Sequence, residues 1–199
     1  PPSTPNGKDQ YNFTDPDSRI MPGSDKKAFI QGYNAQAAVD SPHQIIVANG
    51  LTNGSADVNQ LQEMVCKIDD NLDELPQNLS ADAGSLRKEN IEFLREKKIA
   101  PFIPPDRQKH GIPVASPHGP IPQGLSCTQR MRRWLSTKRG REEYAKRKVT
   151  VEPVFGQIKF CMGFRKFSLR GIEKVSGEWD LVCLCHNLLK VYRSQWKTT

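Results

Sequence analysis

No stretch of the 199 residues approaches the ~20 consecutive apolar positions that a membrane-spanning helix needs, so no membrane partner is expected. There is no CxxC pair among the five cysteines Cys66, Cys127, Cys161, Cys183 and Cys185, and their number is odd. Neither a disulfide framework nor a zinc ribbon is therefore indicated. Cys183 and Cys185 fall in an apolar helical stretch and read as buried small hydrophobes, for which a reducing cytoplasm is the natural setting. An initiating Met is also missing, and residues 1–10 are polar and proline-rich, so they read as neither signal peptide nor anchor. A fragment or a processed chain is expected. Acidic side chains are in deficit, 22 Asp plus Glu against 29 Lys plus Arg, which gives a formal +7. That excess favours a polyanionic partner, although many proteins as basic bind none. What is present, 36% hydrophobic and 26% charged residues, suits one soluble domain with a hydrophobic core and sizeable loops.

Residues 1–27 carry five prolines and few apolar side chains, and read as an extended N-terminal arm or linker. The domain proper is expected over 28–196. Phe29 to Asp40 and Ile45 to Asn49, separated by Ser41-Pro-His-Gln44, read as a strand hairpin. Asn53, Ser55 and Asp57 offer N-caps to a helix with the apolar face Val58, Leu61, Met64, Val65 and Ile68. A short strand at Leu79 runs into Asp82-Ala-Gly84, a second helix carries Leu86, Ile91 and Leu94, and Ile99 to Ile103 reads as a further buried strand. Seven prolines from Pro101 to Pro122 mark a loop around 104–124, longer than ordinary connections. A basic run follows, then a helical pattern at Val151, Phe155 and Ile158. A last core helix after Gly171 carries Trp179, Val182, Cys185, Leu189 and Tyr192. This order points to a mixed α/β sheet.

Two acidic residues stand out. Asp82 follows a strand, and carboxylates at the C-terminal ends of strands in open α/β sheets line ligand crevices and bind hard cations. Position alone favours the plainer explanation that Asp82 caps the next helix. Glu152 lies in Val151-Glu-Pro-Val-Phe-Gly-Gln-Ile-Lys159, where Pro153 is expected near a helix start, so the Glu would sit in the first turn beside the positive end of the dipole. Tyr144, Arg147, Lys148 and Lys159 around it combine positive charge with an aromatic ring, which suits phosphates and bases, or simply a solvated basic face.

Taken together, four blocks resemble bacterial insertion-sequence transposases with a DDE catalytic core. They are Gln31-Gly-Tyr-Asn-Ala-Gln-Ala-Ala-Val-Asp40, Ser80-Ala-Asp82-Ala-Gly84, the stretch from Tyr144 to Lys159, and Cys185-His-Asn-Leu-Leu-Lys190. In order and spacing they span residues 12 to about 193. The resemblance implies an RNase H-like (retroviral-integrase-like) fold, a mixed sheet flanked by helices. The family's first strand, bearing its first catalytic aspartate, is expected to be absent from this chain. Asp82 takes the place of the second acidic residue and Glu152 that of the third, both catalytic and both metal ligands. Ser85 stands where the family often has an aromatic residue. The family's helix motif reads Tyr, two residues, Arg, three residues, Glu, six residues, Lys. Tyr144, Arg147 and Lys159 fit it, but four residues separate Arg147 from Glu152. Either Lys148 takes the basic role or a local bend absorbs the extra residue. Asp15 and Asp17 would follow the missing strand, and Asp40 resembles a non-catalytic turn residue of the family.

The implied activity is DNA cleavage and strand transfer by two-metal phosphoryl transfer with Mg²⁺ or Mn²⁺. The implied partner is double-stranded DNA, as transposon ends and target, with a homodimer in the full-length protein and a bacterial cytoplasmic, nucleoid-associated setting. Arg130, Arg132, Arg133, Arg139, Tyr144, Arg147, Lys148 and Lys159 are the expected DNA contacts. Two alternatives stay open: a non-catalytic DNA-binding remnant, and another RNase H-like nuclease that cuts without strand transfer.

Overall fold

In the computed structural model, residues 11–23, 28–54, 60–106, 117–119 and 121–195 are described. The strand expected from Phe29 to Asp40 is interrupted at Tyr33 into β2 (Phe29–Gly32) and β3 (Asn34–Val39), which pair with different neighbours. β1 (Arg19–Pro22) runs antiparallel to β2, so the segment read as an extended arm contributes a strand. β3 forms the expected hairpin with β4 (Ile46–Thr52), with Asn34 opposite Thr52 and an irregularity between Ala38 and Val39. Asp40 closes its turn, accepting from the backbone N–H of His43 and of Ile45.

α1 (Gln60–Leu72) buries Leu61, Met64, Val65 and Ile68, the spacing that puts all four on one helical face. Of its expected caps, Ser55 and Asp57 lie outside the described residues, as does Val58. β5 (Asn78–Ser80) leads through a short turn into α2 (Lys88–Glu96) and returns as β6 (Ala100–Phe102), parallel to β5. The described strands thus make three two-stranded sheets, a mixed α/β arrangement rather than the single sheet expected.

The basic run folds as two helices, and the pattern at Val151, Phe155 and Ile158 continues from the second. α3 (Cys127–Ser136) starts at a capping box in which Ser126 and Gln129 satisfy each other's backbone N–H groups. α4 (Lys138–Gly156) follows after Thr137, whose hydroxyl accepts from the N–H of Gly140. A Cβ on Gly140 would lie 2.1 Å from the Trp134 carbonyl oxygen, so only glycine allows this close corner between α3 and α4.

α5 (Ile172–Gln195) buries Val175, Trp179, Val182, Cys183 and His186. Its inner face therefore differs from the expected one, for Tyr192 is 59% exposed and Cys185 only half-buried. One core joins α1, α2, β6 and α3 through Leu61, Val65, Ile91, Leu94, Phe102 and Leu135. A second joins β4, α4 and α5 through Ile46, Val154, Ile158, Trp179 and Val182. Each buried side chain of this size contributes about 1.5–3 kcal/mol relative to exposure. α4 touches β3, β5 and β6 and enters both cores, so it fixes one relative to the other.

Candidate active site

Asp82 lies just beyond the C-terminal end of β5, in extended backbone (φ −71°, ψ 159°) leading into a 3₁₀ turn at Ala83–Ser85. Its carboxylate does not cap that turn, which is closed by its backbone oxygen accepting from the N–H of Ser85 at 2.9 Å. The capping role that position favours is thus not taken up. Asp82 Oδ1 instead forms an ion pair with Arg147 Nη1 from α4. The Asp82 side chain is 61% exposed and that of Arg147 23%, so water screens the pair and its energy is modest. Its effect is to orient both groups.

The Arg147 guanidinium also lies 5.6 Å from the centre of the Tyr144 ring, a cation–π arrangement one helical turn apart. Burial is the main cause that pushes the Tyr144 phenol above its ordinary pKa. The negative charges of Asp82 and Glu152 push it the same way, and Arg147 opposes them. Both carboxylates therefore act on one hydroxyl.

Glu152 is exposed near the C-terminal end of the 19-residue α4, not in a first turn. The expectation that Pro153 marks a helix start is corrected accordingly. Pro153 sits inside the helix and deprives the Val149 carbonyl of its N–H partner. The side-chain amide of Gln44 supplies that donor instead, Nε2 to Val149 O at 2.7 Å. After Gly156 the chain widens into a π-helical turn, Gln157–Cys161, which carries the exposed Lys159. This widening follows Glu152, so it does not absorb the extra residue between Arg147 and Glu152. On unbroken α-helix those two are about 140° apart around the axis.

The remaining basic residues divide by what they touch. Arg130 and Lys148 are exposed. Arg132 pairs with Asp106 at 2.5 Å, and Arg133 donates to the carbonyls of His118 and Gly119. Arg139 lies 6.0 Å from the Trp134 ring centre.

Asp15 and Asp17 serve α5. Asp15 Oδ1 accepts from the Tyr33 hydroxyl at 2.7 Å and from the Gly171 N–H at 3.1 Å, and Asp17 Oδ2 accepts from the Ile172 N–H at 2.9 Å. These carboxylates satisfy N–H groups that the start of α5 leaves without partners and favour its dipole.

Between β3 and β5 lies a cavity of about 400 Å³. Consecutive residues 36–40 and 78–81 line it, so the backbone edges of both strands form its walls. Leu61 and Met64 of α1 and Thr150 and Val151 of α4 are also in its lining. Among the described residues β3 has its strand partner on one side only, in β4, and β5 likewise in β6. Among the described residues no three His, Cys, Asp or Glu side chains converge as a metal cluster. Carboxylate oxygens are the right donors for a hard cation, but Asp82 already faces a guanidinium, and these residues alone do not complete a metal site.

Residues 5–188 match the family described as Transposase DDE domain, and the chain belongs to that family. No curated protein and no solved structure matches it. The family implies a transposase-type function with DNA as substrate, and its members are generally divalent-metal dependent; no helix among the described residues is long and apolar enough to cross a membrane.

Two features of the site escaped the sequence. The Ser126-x-x-Gln129 signature for the start of α3 was legible but overshadowed by the charges around it. Gln44 gave no signal, since nothing local ties a turn residue to a carbonyl 105 positions away.

Proposed function

We propose that this chain is the C-terminal part of a transposase catalytic domain that cuts DNA and transfers the cut strand during movement of an insertion sequence. Asp82 and Glu152 are two of its catalytic carboxylates. The observation that carries this reading is the convergence of Asp82, Arg147 and Tyr144 at the end of β5, with Glu152 farther along the helix that carries Arg147 and Tyr144. In this reading the fold is RNase H-like, and the cavity between β3 and β5 is the place of one further strand that supplies the first aspartate. Mg²⁺ or Mn²⁺, when bound, would stabilise the attacking and leaving oxygens of an in-line displacement at phosphorus. The chain's own groups have separate tasks. Arg147 holds Asp82 at the strand end and balances its charge. Tyr144 keeps its proton and can donate to a phosphate oxygen or stack on a base. Arg130, Arg139, Lys148 and Lys159, with Arg132 and Arg133 at the loop, attract the DNA backbone irrespective of sequence. A homodimer of the full-length protein, binding transposon ends and target in the bacterial cytoplasm, belongs to the same proposal.

The test is Mg²⁺- or Mn²⁺-dependent nicking of labelled transposon-end DNA by a version of the chain extended upstream. Asp82→Asn and Glu152→Gln should each abolish nicking while leaving DNA affinity in place. Full nicking by either variant would remove that residue from the site, and nicking without strand transfer would favour a simple nuclease.

A further inference from the structure

The block Cys185-His-Asn-Leu-Leu-Lys190 has no part in the chemistry proposed above, and α5 uses it to grip the turn between β3 and β4. Asn187 brackets Ile46, accepting from its N–H at 2.9 Å and donating to its carbonyl at 2.8 Å. His186, fully buried, points Nε2 at the Gln44 carbonyl oxygen at 3.0 Å, and Lys190 Nζ donates to Gln44 Oε1 at 2.5 Å. Gln44 itself has φ 58°, a left-handed backbone that a non-glycine residue adopts only where its surroundings hold it. Its backbone oxygen, side-chain oxygen and side-chain nitrogen thus each have a partner, and the last is Val149 O, the carbonyl that Pro153 leaves without its helical donor.

We propose that Gln44 is a positioning residue for Glu152, its side-chain amide standing in for the N–H that Pro153 lacks. Resting on the reading of Glu152 given above, this assigns to the His186, Asn187 and Lys190 grip the task of presenting that amide. A proline inside a helix normally kinks it, because the freed carbonyl tilts out to water and the helix opens on that side. Val149 is 66% exposed, so water is available as an alternative donor to its carbonyl, but water fixes no direction. Gln44 does, and α4 remains α-helical past Pro153 to Gly156. The turn it holds, residues 149–153, is the one that contains Glu152.

The test is a double-mutant cycle in the chain itself. Gln44→Met keeps the length of the side chain and removes the donor, and should speed amide hydrogen exchange over residues 150–157 about tenfold. Pro153→Ala in that background returns an N–H to Val149 O and should restore exchange to near the starting rate. As control, Asp15→Ala removes the acceptor of the Tyr33 hydroxyl and of the Gly171 N–H, outside the grip and without touching the donor for Val149, and Pro153→Ala should not repair it. The second readout is the Tyr144 titration, followed by NMR of its ring carbon. Glu152→Gln should lower the Tyr144 pKa in the parent, shift it less in the Gln44→Met background, and shift it again once Pro153→Ala is added. Exchange unchanged by Gln44→Met, or equal repair of both lesions by Pro153→Ala, overturns the strut. An undiminished effect of Glu152→Gln in the Gln44→Met chain overturns the positioning of Glu152. Neither readout depends on DNA cleavage, so failure of the proposed activity registers separately.

Discussion

Arg147 reaches from the middle of α4 to the carboxylate of Asp82 beyond the end of β5, and its guanidinium covers the ring of Tyr144 on the way. One cation therefore offsets Asp82 and counters the rise in the Tyr144 pKa. Arg147→Met should drive the Tyr144 pKa further up, because it removes the opposing charge and leaves both carboxylates. Asp82→Asn should move it down. Since the ion pair is largely open to water, Arg147→Met should cost no more than about 1 kcal/mol of stability. An NMR titration of the Tyr144 ring carbon reads both signs, and shifts of the same sign would contradict the arrangement.

Stability should fall on the alkaline side. Burial pushes the Cys183 thiol from 9.0 to about 12, raises Tyr33 with help from Asp15 and Asp17, and raises Tyr144. Each folded-state pKa lies above its unfolded value. The folded chain therefore keeps protons that the unfolded chain has already released. Their contribution is intact below the unfolded values, 9.0 for the thiol and 10.0 for the phenols, and is lost as pH climbs towards the folded ones. Urea midpoints measured from neutral pH to about pH 11 should decline, and Cys183→Ala should flatten the earliest part of that decline.

Asp15 and Asp17 should prove structural. Asp15→Ala leaves the Tyr33 hydroxyl and the Gly171 N–H without their acceptor and should cost about 1–3 kcal/mol. Asp17→Ala, which removes the acceptor of the Ile172 N–H, should cost about 1 kcal/mol. Denaturant midpoints measure both losses. In a nicking-competent, upstream-extended protein neither change should abolish cleavage at a temperature where the variant is folded. Loss of cleavage from a folded Asp17→Ala protein would make it the first catalytic aspartate.

Local pattern carried the hairpin, α1, α2, β5 and β6, because each announces itself through nearby residues: alternation, a spaced apolar face, or a short run ended by a turn. The blocks around Asp82 and Glu152 gave the family, now matched over residues 5–188. What stayed hidden was long-range. The start of β1 is visible only by its pairing with β2. Pro153 misled about where α4 begins because local rules put proline at helix starts, whereas its neighbour across the fold, Gln44, makes an interior position tolerable. Arg147 left the motif one residue out of step with Glu152, and only its contact with Asp82 shows what it holds.

DNA affinity should be sequence-independent and strongly salt-dependent, carried by cations that have no internal duty. Arg132 is tied to Asp106 and Arg133 to loop carbonyls, so neutralising them would disturb structure as well as charge. Arg130→Gln and Lys148→Gln are the cleaner substitutions. Each should weaken binding to every duplex alike and reduce the slope of log K against log[salt] by about one. Affinity that does not change between low and moderate salt would point to a neutral interface.

The last prediction concerns the cavity between β3 and β5. Its walls are strand edges, its volume is about 400 Å³, and apolar side chains of α1 and α4 lie in its lining. Strand edges carry N–H and C=O groups that demand partners, and an edge left open invites pairing with another chain. Among the described residues β2 also has one partner, β1, but it does not line the cavity, so the gap that invites pairing lies at β3 and β5. The chain alone should therefore self-associate or be poorly soluble. A version extended upstream should be monomeric or discretely dimeric, with slowed amide exchange at residues 34–39 and 78–80. Charge leads to the same conclusion for activity. Asp82 and Glu152 supply −2 against the +4 of two Mg²⁺ ions, and Arg147 already claims part of Asp82, so further acidic ligands are required. We expect no metal-dependent nicking from the chain by itself and recovery of nicking when the upstream segment is restored in cis. Protection of 34–39 without recovered nicking would mean that the added strand fills the cavity but brings no catalytic aspartate. Nicking by the unextended chain would show that the site is already complete within these 199 residues.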